Sequence, residues 1–65
     1  MPNYIDVYEV RYRGRIVRFK TDDHCHPNPV VAVAVVKGKP LKATFADKER
    51  LVKLIPKARF LWGLH

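Results

Sequence analysis

The stretch YIDVYEVRYRGRIVRFKT, residues 4–21, decides the fold. Two runs rich in Tyr, Val, Ile and Phe flank the tetrapeptide Tyr-Arg-Gly-Arg at residues 12–15, which predicts a β-hairpin that turns at its Arg-Gly centre. Folding about this turn collects large apolar side chains on one face and opposes Glu9 to Arg18 on the other. The apolar face pairs Tyr8 with Phe19, Val10 with Val17 and Tyr12 with Arg15.

Residues 22–45 follow the hairpin and predict a loop and a second hairpin. The loop, residues 22–29, contains Asp-Asp and Pro-Asn-Pro. Residues 30–36 are continuously apolar, which predicts a strand that is covered on both faces and central in its sheet. Lys-Gly-Lys-Pro at residues 37–40 turns the chain, and residues 41–45 are expected to return as a fourth strand.

The last third of the chain predicts one short helix and a closing strand. Asp47 can cap the helix through its carboxylate, and Pro56 should end it after about two turns. Residues 58–64 favour a strand. The predicted fold is a single α+β domain over residues 1–65, with the order β-β-β-β-α-β: a small, mainly antiparallel sheet of two hairpins with one short helix on one face.

The composition is strongly basic for so short a chain. Thirteen Lys and Arg oppose six Asp and Glu in 65 residues, giving a formal charge of +7 and a pI near 10. Such an excess is the electrostatic pattern of a protein that binds nucleic acid, and a charge kept for solubility is the alternative. The absence of serine and glutamine also fits a thermophilic source.

The predicted topology separates the charges along the molecule. Both hairpin turns should lie at one end, and a helix running back from the other end would bring Lys53, Lys57 and Arg59 towards them. The acids expected at or near the other end are Asp6, Asp22, Asp23, Asp47 and Glu49. Arg and Gly at turns suit phosphate contacts, although turns are polar by default. The candidate nucleic-acid-binding residues are Arg11, Arg13, Arg15, Arg18, Lys20, Lys37, Lys39, Lys42, Lys57 and Arg59.

Aromatic residues offer a second way to bind nucleic acid. Tyr4, Tyr8, Tyr12 and Phe19 share a predicted face, and sheet aromatics can stack on unpaired bases. A chain this short needs its large side chains inside, so core packing is the favoured interpretation. Tyr4 and Tyr12, near strand ends, are the expected exceptions, and Trp62 is expected to anchor the core.

The segment Asp-Asp-His-Cys-His, residues 22–26, has the residue types of a metal site. Zinc sites usually draw ligands from two separated pairs, and here His65 is the one histidine outside the cluster. We therefore predict that this cluster is part of a structural loop and binds no metal. The alternative is that His24 and His26 bind one ion weakly, or across a dimer.

The sequence predicts neither catalysis nor a cofactor. Neighbours on an extended chain point to opposite sides, so Cys25 lacks a histidine base. The chain has no serine nucleophile and no glycine-rich phosphate loop. A lone cysteine, the lack of a signal-like N-terminus and the lack of an apolar run near 18 residues predict a cytoplasmic protein that does not enter a membrane.

These observations favour an RNA-binding protein that is ribosomal or associated with ribosomes. RNA is favoured over DNA because the charge lies at hairpin tips and no apolar wedge for the minor groove is evident. Two alternatives stay open: a small DNA-binding chromatin protein, and a protein-interaction adaptor from a virus or plasmid. Ribosomal proteins are further candidate partners, and exposed edge strands leave a homodimer open.

The metal prediction has a direct test. The melting temperature should not change on addition of zinc or EDTA, because the cluster at residues 22–26 lacks a second pair of ligands. Differential scanning fluorimetry measures this. A shift of many degrees with either reagent would identify the cluster as a metal site.

Overall fold

The computed structural model describes residues 4–25 and 27–64. In chain order the elements are β1 (Ile5–Tyr12), β2 (Arg15–Asp22), β3 (Val30–Lys37), α1 (Phe45–Leu54), a short 3-10 helix (Ile55–Lys57) and β4 (Arg59–Leu64). The strands form one antiparallel sheet in the order β3-β2-β1-β4. The α+β class, the antiparallel sheet and the short helix are confirmed. No helix in the described ranges is long and apolar enough to cross a membrane.

The first hairpin has the predicted register. Tyr8 pairs with Phe19 and Glu9 with Arg18. The turn residues Arg13 and Gly14 both have positive φ angles, 51° and 74°. Two left-handed residues in a two-residue loop are typical of a type I′ turn, whose twist matches that of paired strands.

The prediction of a second hairpin is wrong, because residues 41–44 form no strand and the helix begins at Phe45. A capping box explains where it begins. The Thr44 hydroxyl oxygen accepts a hydrogen bond from the Asp47 amide at 3.2 Å, and the Asp47 carboxylate accepts one from the Thr44 amide at 3.0 Å. Thr44 is therefore the N-cap, and Asp47, predicted to hold that position, is the third helical residue.

The prediction that residues 30–36 form a central strand is also wrong. β3 lies at one edge of the sheet and β4, the predicted closing strand, lies at the other. Val33 and Val35 pack against the core, whereas Ala32 and Ala34 are exposed on the opposite face. The apolar run therefore alternates larger and smaller side chains. Within residues 4–25 and 27–64 neither β3 nor β4 pairs with a further strand, and homodimerisation stays a prediction.

The hydrophobic core lies between α1 and one face of the sheet, which we call the covered face. Val17, Phe19 and Leu51 are its most deeply buried side chains. Tyr8, with its ring 5.5 Å from that of Phe19, extends the core across β1. The other face of the sheet, without the helix, is called the open face.

A buried polar contact joins the hairpin to the helix. The Tyr12 hydroxyl donates a hydrogen bond to Oδ1 of Asp47 at 2.6 Å, and the two residues are 6% and 4% exposed. Tyr12 was expected to be an exposed aromatic; that prediction is wrong, whereas Tyr4 is exposed. The contact fixes the start of α1 beside the first hairpin turn.

We expect Tyr12→Phe to lower the free energy of unfolding by roughly 1.5 to 3 kcal/mol, because it removes a buried donor to a charged group. Urea denaturation followed by circular dichroism measures this. Tyr8→Phe is the matched control, since no hydrogen bond of the Tyr8 hydroxyl occurs among the described residues. Equal stability of the two variants would contradict the importance of the Tyr12 contact.

Candidate nucleic-acid interface

The two turns lie at the same end of the sheet, as predicted. Ile16 at the start of β2 pairs with Lys37 at the end of β3. The Arg15 side chain bridges the turns, since its Nε donates to the Lys39 carbonyl at 2.7 Å and its Nη1 to the Arg13 carbonyl at 2.9 Å. This end of the molecule is called the tip.

Gly38 makes the close approach of the two turns possible. Its φ angle is +117°, and a Cβ built on it would lie 3.1 Å from Cγ of Arg15. A side chain at this position would therefore strain the backbone and press on the arginine. The glycine keeps Arg15 in reach of the second turn.

Six of the predicted cations meet at the tip. Their positions follow from strand ends and from the loop at residues 38–44, which leaves the end of β3 and reaches α1 beside Tyr12. Of the six, Arg13 has its Nη1 atom 3.5 Å from Oδ1 of Asp47. We call this set the tip cluster: Arg11, Arg13, Arg15, Lys37, Lys39 and Lys42.

The tip also contains an acid that the sequence prediction placed at the other end. Asp47 lies at the tip because the missing strand of residues 41–45 leaves α1 starting there, so the predicted position of Asp47 is wrong. Hydrogen bonds from the Thr44 amide and the Tyr12 hydroxyl lower the pKa of Asp47 from 3.8 to about 2. Asp22, which pairs with Ile5, does lie at the opposite end.

One cation at the tip was missed by the sequence analysis. A hydrogen bond with Tyr12, and then the charge of Asp47, raise the pKa of Arg50. Arg50 follows Asp47 by three residues on the helix, so the spacing could have indicated it once the helix start was known.

The expected course of the helix towards the tip is wrong. Lys53 borders a surface hollow with Pro27 and Asn28, in the loop far from the turns. Lys57 is exposed at the end of the 3-10 helix, and Arg59 pairs with Glu9 in the middle of β1. The tip cluster therefore contains none of these three cations.

Three of the predicted cations lie on the open face: Arg18, Lys20 and Arg59. The register pairs Glu9 with both arginines and Val7 with Lys20. Nε of Arg18 donates to Oε2 of Glu9 at 2.9 Å, so one of these cations is partly neutralised. The register thus places Arg18, Lys20 and Arg59 on one face of the sheet, away from α1.

Trp62 was expected in the core, and that prediction is wrong. The side chain is 54% exposed and shares the open face with its register partner Val7. Phe60 instead lies on the covered face, with its ring 5.7 Å from that of Tyr8. An irregularity in the pairing between Val7 and Tyr8 places the two aromatics on opposite faces.

The Asp-Asp-His-Cys-His segment forms a hydrogen-bonded turn as far as it is described. Asp22 Oδ1 accepts from the His24 amide at 2.9 Å, and the Asp22 carbonyl accepts from the Cys25 amide at 3.0 Å. The described residues contain no group of three or more His, Cys, Asp or Glu that could hold a metal. His26 and His65 lie outside the described residues, so the metal prediction stays a prediction.

Comparison with known proteins finds no match: no family model, no curated protein and no solved structure matches this chain. A function must therefore be supported by the charges and geometry of the chain itself. The two features available are the tip cluster and the open face.

We expect acid to destabilise the protein through Asp47. Because its pKa is lowered by folding, the stabilisation is fully present above the unfolded value near 3.8 and is lost as the pH falls through about 2. Titration of the Asp47 carboxyl by NMR measures the pKa directly. In Tyr12→Phe the pKa of Asp47 should move back towards 3.8. An unchanged pKa would show that the Tyr12 hydroxyl does not stabilise the charged carboxylate.

Proposed function

We propose that this protein binds RNA through the tip cluster, as a small ribosomal or ribosome-associated protein. The observation that carries the proposal is the approach of the first hairpin turn to the segment that joins β3 to α1, which gathers six cations at one end of the sheet. The one acid that the described residues place among them, Asp47, is buried and already accepts hydrogen bonds from Tyr12 and Thr44.

The tip cluster has cations available for a partner. Arg13 approaches Asp47, and Arg15 is engaged with backbone carbonyls. The remaining four are exposed and form no ion pair with any residue in the described ranges: Arg11, Lys37, Lys39 and Lys42. Repeated phosphates on a polyanion would neutralise this charge and release condensed counterions.

The shape of the molecule favours RNA as the polyanion. The molecule is elongated, with extents of 36, 22 and 19 Å, and a narrow body with a cationic end can enter the irregular spaces between RNA helices. The core is also small, with Val17, Phe19 and Leu51 as its most deeply buried side chains. Binding to RNA would add stability that so small a core does not supply.

DNA binding is the second candidate, and one observation favours it. Trp62 and Leu64 are large exposed apolar side chains on the open face, beside cations. Proteins that bend DNA use such wedges in the minor groove. The lack of a wedge, which favoured RNA in the sequence analysis, therefore no longer separates the two candidates.

Salt dependence and a charge reversal test the proposal. Affinity for RNA should fall steeply with salt, with a log–log slope of about −0.7 to −0.9 per phosphate contact. Lys39→Glu should weaken binding at low salt and flatten that slope by about one contact. Fluorescence anisotropy with a labelled RNA stem-loop, titrated at several salt concentrations, measures both.

Lys53→Glu is the matched control, because it changes the net charge equally but lies beside Pro27, away from the tip. It should retain nearly the parent affinity. Equal loss in the two variants would show that net charge acts without a site. Absence of salt dependence in the parent would overturn the proposal and favour a protein partner.

Co-sedimentation with ribosomal subunits, rather than with the nucleoid, is expected in a cell lysate.

A further inference from the structure

The open face leaves a large aromatic side chain in solvent. Trp62 is 54% exposed, although a chain of 65 residues gains more from burying a tryptophan than from burying any other side chain. The largest fully buried side chains in the core are instead Phe19 and Leu51. An exposed tryptophan beside other apolar groups indicates a binding surface.

The neighbours of Trp62 leave its surroundings low and flat. Val7 separates Trp62 from Lys20, and Ala32 follows Lys20 along the same row of the sheet. A shallow hollow crosses this part of the face, and the open-face residues that line it are Val7, Arg18, Lys20, Ala32 and Ala34. Val7, Ala32 and Ala34 are small, so a planar group could lie over this part of the face, beside the long side chains of Arg18 and Lys20.

The charge of the open face suits a phosphate backbone. Lys20 lies two strands away from Trp62, so their backbones are about 10 Å apart. One row nearer the tip, Arg59 and Arg18 flank Glu9. The face bears two acids, Glu9 and Asp22, against five cations: Arg11, Arg18, Lys20, Lys37 and Arg59.

The open face is also continuous with the tip cluster. Arg11, Ile16 and Lys37 form the row of the open face closest to the turns, and Arg11 and Lys37 belong to both surfaces. A strand of nucleic acid that contacts the tip can therefore extend along β2 to Lys20. The two surfaces form one cationic path that ends beside a tryptophan.

We propose that Trp62 stacks on an unpaired base of single-stranded RNA, while Arg18, Lys20 and Arg59 contact the flanking phosphates. The inference rests on the proposed function, since the tip cluster holds the same strand. Stacking needs a base whose flat side is free, which single strands and loops present and duplex interiors do not. The site therefore selects unpaired RNA over duplex RNA.

Trp62 is the one tryptophan of the chain, so its fluorescence reports on this site alone. Oligouridylate should quench the emission, whereas inorganic polyphosphate, which has charge but no base, should bind and leave the emission nearly unchanged. An RNA duplex of the same length should quench much less than oligouridylate. Equal quenching by polyphosphate and oligouridylate would overturn the stacking inference.

Substitutions give the energetic test. Trp62→Ala should weaken oligouridylate binding by about tenfold, the effect of losing one stacked base, while Trp62→Phe should retain most of the affinity. Phe60→Ala is the matched control, because Phe60 is 53% exposed on the same strand but faces the helix side. Its affinity should equal that of the parent once circular dichroism shows all variants folded.

The results separate this inference from the proposed function. If Trp62→Ala binds oligouridylate like the parent while Lys39→Glu binds weakly, stacking is overturned and RNA binding at the tip stands. If the parent binds neither RNA nor polyphosphate, both proposals fail. Stronger quenching by a DNA duplex than by oligouridylate would replace stacking with insertion into the minor groove.

Discussion

The hydrogen bond from the Tyr12 hydroxyl to the Asp47 carboxylate is the contact on which the rest of the structure depends. The same carboxylate accepts hydrogen bonds from the amide and hydroxyl groups of Thr44, so one side chain closes the capping box and joins the helix to the hairpin. Residues that are 35 apart in sequence are thereby fixed at one end of the sheet. The direction of α1, and with it the positions of Lys53 and Arg50, follows from this contact.

A helix of ten residues covers one face of this sheet and leaves the other open. The strands distribute their side chains accordingly. β2 turns Val17 and Phe19 towards the helix and Arg18 and Lys20 away from it. Since the chain lacks a second layer over the open face in the described ranges, that face combines structural strands with an accessible surface, and any partner that binds there meets rigid backbone.

The sequence could predict the features that depend on local periodicity. The alternation of apolar residues about Arg13-Gly14 was enough to predict the register of the first hairpin. Pro56 marked the end of α1 only approximately, because α1 ends at Leu54 and a 3-10 helix continues through the proline to Lys57. The edge position of β3 could not be predicted from its apolar run, because a hydrophobic pattern treats Val and Ala as equivalent. In the structure the larger Val33 and Val35 face the core, and the smaller Ala32 and Ala34 lie on the exposed face. The position of Trp62 on the open face depends on the irregularity in the pairing of β1 with β4, where Leu61 has no register partner, and no pattern within residues 58–64 indicates it.

The two types of cation at the tip have different parts in the structure. Arginine offers a planar set of donors, and Arg15 uses it to join the carbonyls of Arg13 and Lys39. Lysine has a flexible stem and a single charged group, so Lys37, Lys39 and Lys42 can follow phosphates without fixed geometry. Contacts of that kind supply affinity and little sequence preference. If the protein binds RNA as proposed, preference for one form of RNA would come from the open face, where the exposed Trp62 side chain could stack on a base with a free flat side.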